Sequence, residues 1–306
     1  MPDARYPQTV LATCCVPWDA DGSLLEDVFR NSIRTLLGHG FRDLYVFGTA
    51  GEGHAVDDGR FDAVCRAFVD ETRTAGAPPM VGVISLSLAT AIGRIERAAE
   101  LGVELFQISL PSWGALNDRE LAAFFAETCG RFPSLRFLHY NLPRAQRLVT
   151  PAEYAELAER HPNLVATKNA GASNATIVEL FARAPQLRHF FTEPGYGYAS
   201  LIGPAGFLVS VALLRPRLAH AYFEAGRSRD VETLASIARD AAAIVQELRR
   251  ALGTAHMDGA FDKCLSRWLD PSFPLRLLPP YEGASDEAFD TFTAAVRERF
   301  PHWTGG

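Results

Sequence analysis

One lysine stands where a buried strand is expected to end. Residues 164–167 (Leu-Val-Ala-Thr) suit a strand, and they run directly into Lys168 and two small or polar residues. Burial disfavours the charged form of an amine and lowers its pKa, and an unprotonated lysine is the nucleophile that forms Schiff bases with carbonyl compounds. The alternative is a lysine that turns out into solvent at the strand end. The neighbouring strands must decide between these two interpretations.

Tyr140 ends another apolar run and precedes Lys168 by 28 residues. That separation is one strand–helix repeat of this chain, so the two side chains are predicted at matching depth on neighbouring parallel strands. A phenol both donates and accepts a proton, and beside an amine it can act as a general acid and base. The alternative is a tyrosine that only packs at an interface.

A glycine-rich turn at residues 48–52 (Gly-Thr-Ala-Gly-Glu) follows a third strand candidate. Gly48 and Gly51 allow backbone N–H groups to approach a ligand without an obstructing Cβ. Successive amides of this kind form an anion cradle, to which Thr49 adds a hydroxyl. A tight turn with no ligand is the alternative. Amine, phenol and cradle together predict that Lys168 condenses with the ketone of a 2-oxo acid whose carboxylate lies in the cradle.

These residues need a scaffold that brings several strand ends together. Short β-like runs alternate with amphipathic helical stretches about eight times, which predicts one (β/α)8 TIM barrel over residues 1–225. A doubly wound sheet is the rival fold, but its first turn needs a phosphate-binding fingerprint that residues 14–18 (Cys-Cys-Val-Pro-Trp) lack. The pattern then becomes purely helical, so residues 226–306 are predicted to be a C-terminal helical extension packed on the barrel.

The bulk composition excludes several functional classes. The chain is 48% hydrophobic and 22% charged, as in ordinary globular proteins. Its net charge is -6 and its basic residues are scattered, so it has no electrostatic footprint for nucleic acid. The five cysteines lack the spacing of a disulfide framework or a zinc site. No apolar run is long enough for a bilayer, and the N-terminus lacks signal-peptide features. We expect a cytoplasmic protein with reduced thiols and no membrane partner.

Three motifs resemble, in order and spacing, the dihydrodipicolinate synthase/N-acetylneuraminate lyase family. They are Gly-Thr-Ala-Gly-Glu at 48–52, Tyr-Asn-Leu-Pro at 140–143 and Lys-Asn-Ala at 168–170. The stretches at 279–283 and 301–303 also look like that family's C-terminal region. The resemblance covers nearly the whole chain.

The resemblance implies a class I mechanism. Lys168 would form the Schiff base, Tyr140 would transfer protons with support from Thr49, and Thr49 with the amide of Ala50 would bind a pyruvate-type carboxylate. The resemblance also implies a homo-oligomer, either a tetramer or a dimer.

Three positions depart from the synthase branch of this family. Ala50 stands where the family usually has a second hydroxyl residue, and Trp113 stands where the synthases lend a tyrosine to a neighbouring subunit. Ala145 occupies the position of a synthase arginine, and neither Arg144 nor Arg147 is in register to replace it. We therefore expect a function other than that of a typical lysine-biosynthesis synthase.

The remaining substrate-binding candidates are less specific. The stretch 110–113 (Leu-Pro-Ser-Trp) is closer to the hydratase-aldolase branch, which cleaves aryl-substituted 2-oxo acids, and the Trp113 indole would offer such a substrate a flat apolar surface. The alternative for Trp113 is a subunit contact. Glu193, after the seventh strand, is either an additional acid–base or hydroxyl-binding group or a helix cap. Val209, at the end of the eighth strand, and Arg144 complete the predicted set.

The predicted function is a class I lyase or aldolase. Lys168 attacks C2 of pyruvate or another 2-oxo acid, and the iminium accepts electrons while the C3–C4 bond breaks or forms, with an aldehyde as the partner. The lysine supplies the electrophilic activation, so neither a metal nor a nucleotide cofactor is expected. Two alternatives remain: a sugar-acid dehydratase on the same scaffold, and a non-catalytic protein that senses 2-oxo acids.

Overall fold

The computed structural model describes residues 5–253 and 256–304, and its centre is a closed barrel of eight parallel strands. The strands are β1 (Val10–Cys14), β2 (Asp43–Val46), β3 (Pro79–Gly82), β4 (Leu105–Ile108), β5 (Arg136–Asn141), β6 (Leu164–Asn169), β7 (Arg188–Phe191) and β8 (Gly206–Val209). Each strand pairs with the next in the chain, and β8 closes the ring against β1. The predicted (β/α)8 barrel is confirmed.

Alternate residues of each strand point into the barrel, as the two-residue period of a strand requires. The inward-facing apolar side chains form a cluster of their own, which includes Leu11, Tyr45, Met80, Leu105, Leu138, Ala166, Phe190 and Leu208. Tyr140 and Lys168 each lie two residues after a member of this cluster, on β5 and β6. The barrel interior is therefore apolar, and the reactive side chains lie at the carboxyl ends of the strands.

Eight helices surround the barrel and three more follow them. They are α1 (Glu26–Gly38), α2 (Asp58–Thr74), α3 (Leu88–Glu100), α4 (Asp118–Phe125), α5 (Pro151–Arg160), α6 (Asn174–Arg183), α7 (Glu193–Ile202), α8 (Pro216–Ser228), α9 (Val231–Leu252), α10 (Asp258–Leu269) and α11 (Asp286–Arg299), counted within the described residues. α5 begins as its sequence predicts, with Pro151 as the first residue and a capping box between Thr150 and Glu153. α8 crosses the boundary predicted at residue 225.

Two helices have unusual ends. α7 begins at Glu193, and Pro194 suits the first turn of a helix. α4 ends at Phe125 and continues as a π-helical turn over Ala126–Gly130.

A buried ion pair fastens α10 to the turn that follows β2. Lys263 of α10 lies 2.6 Å from the carboxylate of Glu52, and both side chains are almost fully buried. Glu52 also accepts hydrogen bonds from Trp18 Nε1 at 2.9 Å and from the backbone N–H of Leu278 at 2.7 Å. Separating the two side chains would leave a buried charge without a partner, which is costly. The network therefore holds α10 beside the barrel mouth.

No helix among the described residues is both long enough and apolar enough to cross a bilayer.

All five cysteines are buried and free. Burial raises the pKa of the Cys15 thiol to about 12, which leaves it protonated and unreactive at neutral pH. Cys14 and Cys15 therefore serve as packing residues.

Candidate active site

Lys168 and Tyr140 lie side by side at the mouth of the barrel. The register of β5 and β6 pairs them directly, and both residues are buried. Parallel strands of a barrel carry their last residues to one rim, so the spacing of one repeat brings the phenol to the amine. The structure thus places these two side chains together, as the sequence predicts.

Two phenols surround the Lys168 amine. Nζ donates to Oη of Tyr45 at 3.0 Å and lies 3.8 Å from the centre of the Tyr140 ring. Burial lowers the pKa of Lys168 to about 8, and the negative charges of Asp262 and Asp258 limit this decrease. At pH 7 about a tenth of an amine with this pKa is unprotonated, far more than of an ordinary lysine, and the unprotonated amine is the form that attacks a carbonyl.

Tyr45 is a site residue that the sequence analysis missed. It is an inward-facing residue of β2, and burial raises the pKa of its phenol well above the usual value. The phenol therefore stays neutral and holds the amine without adding a charge beside it. The alternation of inward- and outward-facing residues along β2 could have identified Tyr45, since it places this residue on the inner face just before the glycine-rich turn.

Tyr140 also keeps its proton near neutral pH. Burial raises the pKa of the phenol to about 12, the negative charge of Asp258 acts in the same direction, and the hydroxyl of Thr49 lowers the pKa. A neutral phenol beside the amine can give a proton to a leaving oxygen and take it back.

The glycines of the turn after β2 permit close packing of that turn against its own strand. A Cβ at Gly48 would lie 2.6 Å from the Tyr45 ring, and a Cβ at Gly51 would lie 2.7 Å from the backbone nitrogen of Phe47. Both positions shape the turn and neither lines the cavity described below. Thr49 and Ala50 do line it, and their backbone N–H groups donate to no acceptor among the described residues.

The reactive side chains open onto a cavity of about 330 Å³. Strand-end residues form one wall: Thr13, Tyr45, Thr49, Ala50, Tyr140, Lys168, Ala170, Thr192, Leu208, Val209, Ser210 and Val211. Val209, one of the predicted substrate-binding residues, lines this cavity. The C-terminal helices α9 and α10 form the other wall with Val245, Leu248, Arg249, Asp258, Phe261, Asp262 and Leu265.

The contribution of α10 to the cavity was not predicted from the sequence. The C-terminal helices were expected only to pack on the barrel. Asp258 and Asp262 are four residues apart and therefore share one face of the helix. That spacing is the signal the sequence offered, although it does not show what the face contacts.

Arg144 is exposed and binds α10. Its guanidinium donates to both carboxylate oxygens of Asp258, at 2.8 and 3.0 Å. Arg144 lines a second cavity of about 450 Å³, and Thr49 lines both cavities. The bidentate pair therefore stands at the boundary between the two spaces. Arg147 instead pairs with Asp118 and Glu153.

Trp113 and Glu193 lie outside the main cavity. Trp113 is 86% exposed and lines neither cavity. Glu193 is buried, and its carboxylate accepts hydrogen bonds from the backbone N–H groups of Ser210 at 2.8 Å and Ala212 at 3.0 Å. It thus holds the loop after β8, whereas the sequence predicted either an acid–base or hydroxyl-binding group or a helix cap.

The small number of lysines in the chain also points to the site, and it was not used in the prediction. The whole chain contains only two lysines, Lys168 and Lys263, and both are buried. Basic residues are usually exposed. All other members of the Lys/Arg group in this chain are arginines. Two buried lysines in such a chain indicate two specific roles.

Comparison with known proteins identifies the family. The sequence profile of the dihydrodipicolinate synthetase family matches residues 6–251. The chain belongs to this family. The resemblance read from three motifs is therefore confirmed.

Two relatives carry the name 4-hydroxy-tetrahydrodipicolinate synthase. The protein from Exiguobacterium sp. is 29% identical over 179 residues, which cover 58% of this chain and 59% of the relative. The protein from Xanthomonas axonopodis pv. citri is 30% identical over 207 residues, which cover 67% of this chain and 66% of the relative. The chain thus aligns with less than two thirds of either relative's length.

Solved structures share the fold at low identity. A prophage protein of the dihydrodipicolinic acid synthase family from E. coli K12, in complex with pyruvate, has a TM-score of 0.85 and 17% identity, and the match covers 95% of this chain and 98% of that chain. A catalytic lysine mutant of Ruminococcus gnavus sialic acid aldolase has a TM-score of 0.82 and 16% identity, with 94% and 96% covered. These likenesses concern the fold alone.

Proposed function

We propose that the chain is a class I carbon–carbon lyase in which Lys168 forms a Schiff base with pyruvate or another 2-oxo acid. One observation carries the proposal: a buried amine whose pKa is lowered to about 8 faces a cavity between two neutral phenols. No ordinary structural role explains that environment, because a purely structural buried lysine needs a carboxylate partner.

The first step is imine formation. The unprotonated amine of Lys168 attacks C2 of the 2-oxo acid, and the carbinolamine then loses water. Tyr140 gives a proton to the departing oxygen and takes one from the nitrogen, since its phenol lies against the amine and keeps its proton near neutral pH. General acid–base catalysis of this kind contributes about 10²–10⁴-fold to a rate.

The turn after β2 receives the carboxylate. Thr49 and Ala50 line the cavity, and their backbone N–H groups donate to no acceptor in the described parts of the chain. Unpaired backbone donors in a turn are suited to an anion. Ala50 supplies no hydroxyl, so the carboxylate has one side-chain donor at this turn.

The iminium then accepts the electrons of the C3–C4 bond, and an aldehyde leaves or, in the reverse direction, joins the enamine. The covalent imine is the only activating group that we propose. Two proteins of similar structure support lyase chemistry. One is in complex with pyruvate, and the other is a catalytic lysine mutant of a sialic acid aldolase. Ala50, Trp113 and Ala145 favour a substrate other than that of the synthases.

A turnover screen tests the proposal. The enzyme is incubated with pyruvate and a panel of aromatic, aliphatic and polyhydroxylated aldehydes, and products are identified by mass spectrometry. We expect an adduct of pyruvate plus aldehyde, and pyruvate release when the purified adduct is returned to the enzyme. A sugar acid that loses water without releasing pyruvate would indicate the dehydratase instead. Binding of 2-oxo acids with no turnover would indicate the sensor.

We further propose a homo-oligomer. Trp113 is 86% exposed and Leu86 is 58% exposed, and both line one shallow groove on the outer surface of the barrel mouth. Exposed apolar patches mark association sites. Sedimentation velocity should show a dimer or tetramer that Trp113→Ser weakens. A wild-type monomer at micromolar concentration would contradict this proposal and leave the Schiff-base proposal unaffected.

A further inference from the structure

Once the Schiff base has formed, its conversion to an enamine requires a general base. To become an enamine, the imine must lose a proton from C3, and Tyr140 lies against the nitrogen end of the linkage, 3.8 Å from its ring centre to Nζ. C2 of an imine is trigonal, so its two carbon substituents point in different directions. If the carboxylate lies at Thr49 and Ala50, C3 points toward the rest of the cavity, which the ends of β7 and β8 and the helices α9 and α10 enclose.

Few side chains of that region can take a proton. Thr192 and Ser210 offer hydroxyl groups, which are weak bases, and the guanidinium of Arg249 has donors and no acceptor. Among the described residues that line the cavity two carboxylates remain, and both belong to α10. Asp258 is already bound at both oxygens by Arg144. Asp262 forms no hydrogen bond or ion pair through its carboxylate with any described residue, and it lines the cavity.

The position of Asp262 is fixed by its neighbour in the chain. Lys263 is held by the buried Glu52 carboxylate at 2.6 Å, so α10 cannot rotate without breaking that pair. The helix therefore presents Asp262 to the cavity that contains Lys168. A rigid element of this kind is what a positioned general base requires.

We propose that Asp262 is the base that removes a proton from C3 of the Lys168 imine and later returns it. This inference rests on the proposed Schiff-base function. The C3–H electron pair becomes the C2–C3 double bond, and the electron pair of the C2–N double bond moves to nitrogen. Asp262 carries the proton, and reversal of the step restores the imine. Tyr140 serves imine formation and Asp262 serves enamine formation.

The electrostatic surroundings suit this exchange. Burial raises the pKa of Asp262 to about 7, Asp258 acts in the same direction, and Lys168 lowers the pKa. Glu193 also raises it, and Arg249 of α9 lines the same cavity. Near neutral pH the carboxyl group can both accept and return a proton.

Pyruvate alone tests the assignment. In D₂O the enamine exchanges methyl hydrogens of pyruvate for deuterium, which proton NMR measures, and borohydride with pyruvate reports imine formation separately. Asp262→Asn should still form the borohydride adduct, at a rate changed only by the loss of the Asp262 charge beside Lys168, and should lose methyl exchange by about 100-fold or more. Asp262→Ser should behave in the same way, and Asp262→Glu should recover part of the exchange. The matched control is Asp290→Asn, an exposed acid on α11, which should keep both activities.

Each other outcome has a defined meaning. Exchange in both Asp262→Asn and Asp262→Ser within threefold of wild type overturns the assignment while the Schiff base stands. If a folded Asp262→Ser variant forms no borohydride adduct, then Asp262 is needed for imine formation, and the assignment of imine formation to Tyr140 and enamine formation to Asp262 is overturned. Absence of an adduct in the wild-type protein overturns the proposed function itself, and the assignment of Asp262 with it.

Discussion

The two lysines of this chain occupy opposite kinds of buried environment. Burial lowers the pKa of Lys263, and the Glu52 carboxylate 2.6 Å away opposes this decrease by stabilising the charged form. Lys168 forms no ion pair with any described residue; its amine contacts the phenols of Tyr45 and Tyr140, and burial lowers its pKa to about 8. The difference shows how one residue type serves structure in one place and chemistry in another. A paired lysine holds two elements together, whereas an unpaired lysine beside a cavity is a nucleophile.

Replacing Lys168 should have the largest effect. Lys168→Arg keeps a cation of similar length but removes the nucleophilic amine, so turnover of any 2-oxo acid substrate should fall to background. Steady-state pyruvate release or consumption measures this loss. Activity within tenfold of wild type in Lys168→Arg would remove the distinction between the two lysines.

Tyr140→Phe should have the next largest effect. It removes the proton donor beside the amine and keeps the ring, so the rate of adduct formation with pyruvate should fall by about 10²–10⁴-fold. Quenching with borohydride at successive times and measuring the protein mass gives this rate. An unchanged rate would assign proton transfer during imine formation to another group.

The same substitution at the two lysines should change stability in opposite directions. Lys263→Met leaves Glu52 buried without a partner and should cost about 3–5 kcal/mol. Lys168→Met removes a charge that burial disfavours, and we expect a gain of about 1–3 kcal/mol at pH 7. Urea unfolding of both variants measures these changes. Equal losses at both positions would contradict the contrast between the two environments.

Adduct formation should also depend on pH in a defined direction. Below the folded pKa of about 8, Lys168 is protonated and the rate should rise about tenfold per pH unit, levelling off above pH 8. Stability gives a matching signature. The unfolded chain keeps the Lys168 proton up to its ordinary pKa of 10.5, so the contribution of Lys168 to stability rises with pH between about 8 and 10. The stability gain of Lys168→Met should therefore shrink over that window.

Tyr45→Phe should have the smallest effect on activity. It removes one hydrogen bond to the amine, 3.0 Å long, and leaves Tyr140 in place. A neutral hydrogen bond contributes about 0.5–1.5 kcal/mol, so adduct formation should slow by about tenfold or less. A loss as large as that of Tyr140→Phe would make Tyr45 a second proton donor.

The barrel and the pairing of Tyr140 with Lys168 could be predicted because both follow from periodicity. Alternating strands and helices specify the barrel, and a spacing of one repeat places two side chains at one level on adjacent strands. Thr49 and Ala50 follow in the same way from the end of β2. Each of these predictions depends on contacts between consecutive strands.

The rest of the site depends on contacts between distant parts of the chain. Asp262 lies on α10, which the pair of Lys263 with Glu52, more than 200 residues earlier, holds at the cavity, and no local pattern specifies that pair. Arg144 meets Asp258 across 114 residues. Glu193 was predicted to be an acid–base or hydroxyl-binding group or a helix cap, and its partners are instead backbone amides after β8.

Trapping with pyruvate and borohydride, followed by peptide mapping, tests the central claim most directly. Reduction of the imine fixes the pyruvate carbon skeleton on the amine, and the chain offers only two lysine side chains and its N-terminus as acceptors. We predict one adduct per chain, on the peptide that contains Lys168, and none without pyruvate. An adduct on Lys263 or on the N-terminus, or no adduct at any pH between 7 and 9, would contradict the account.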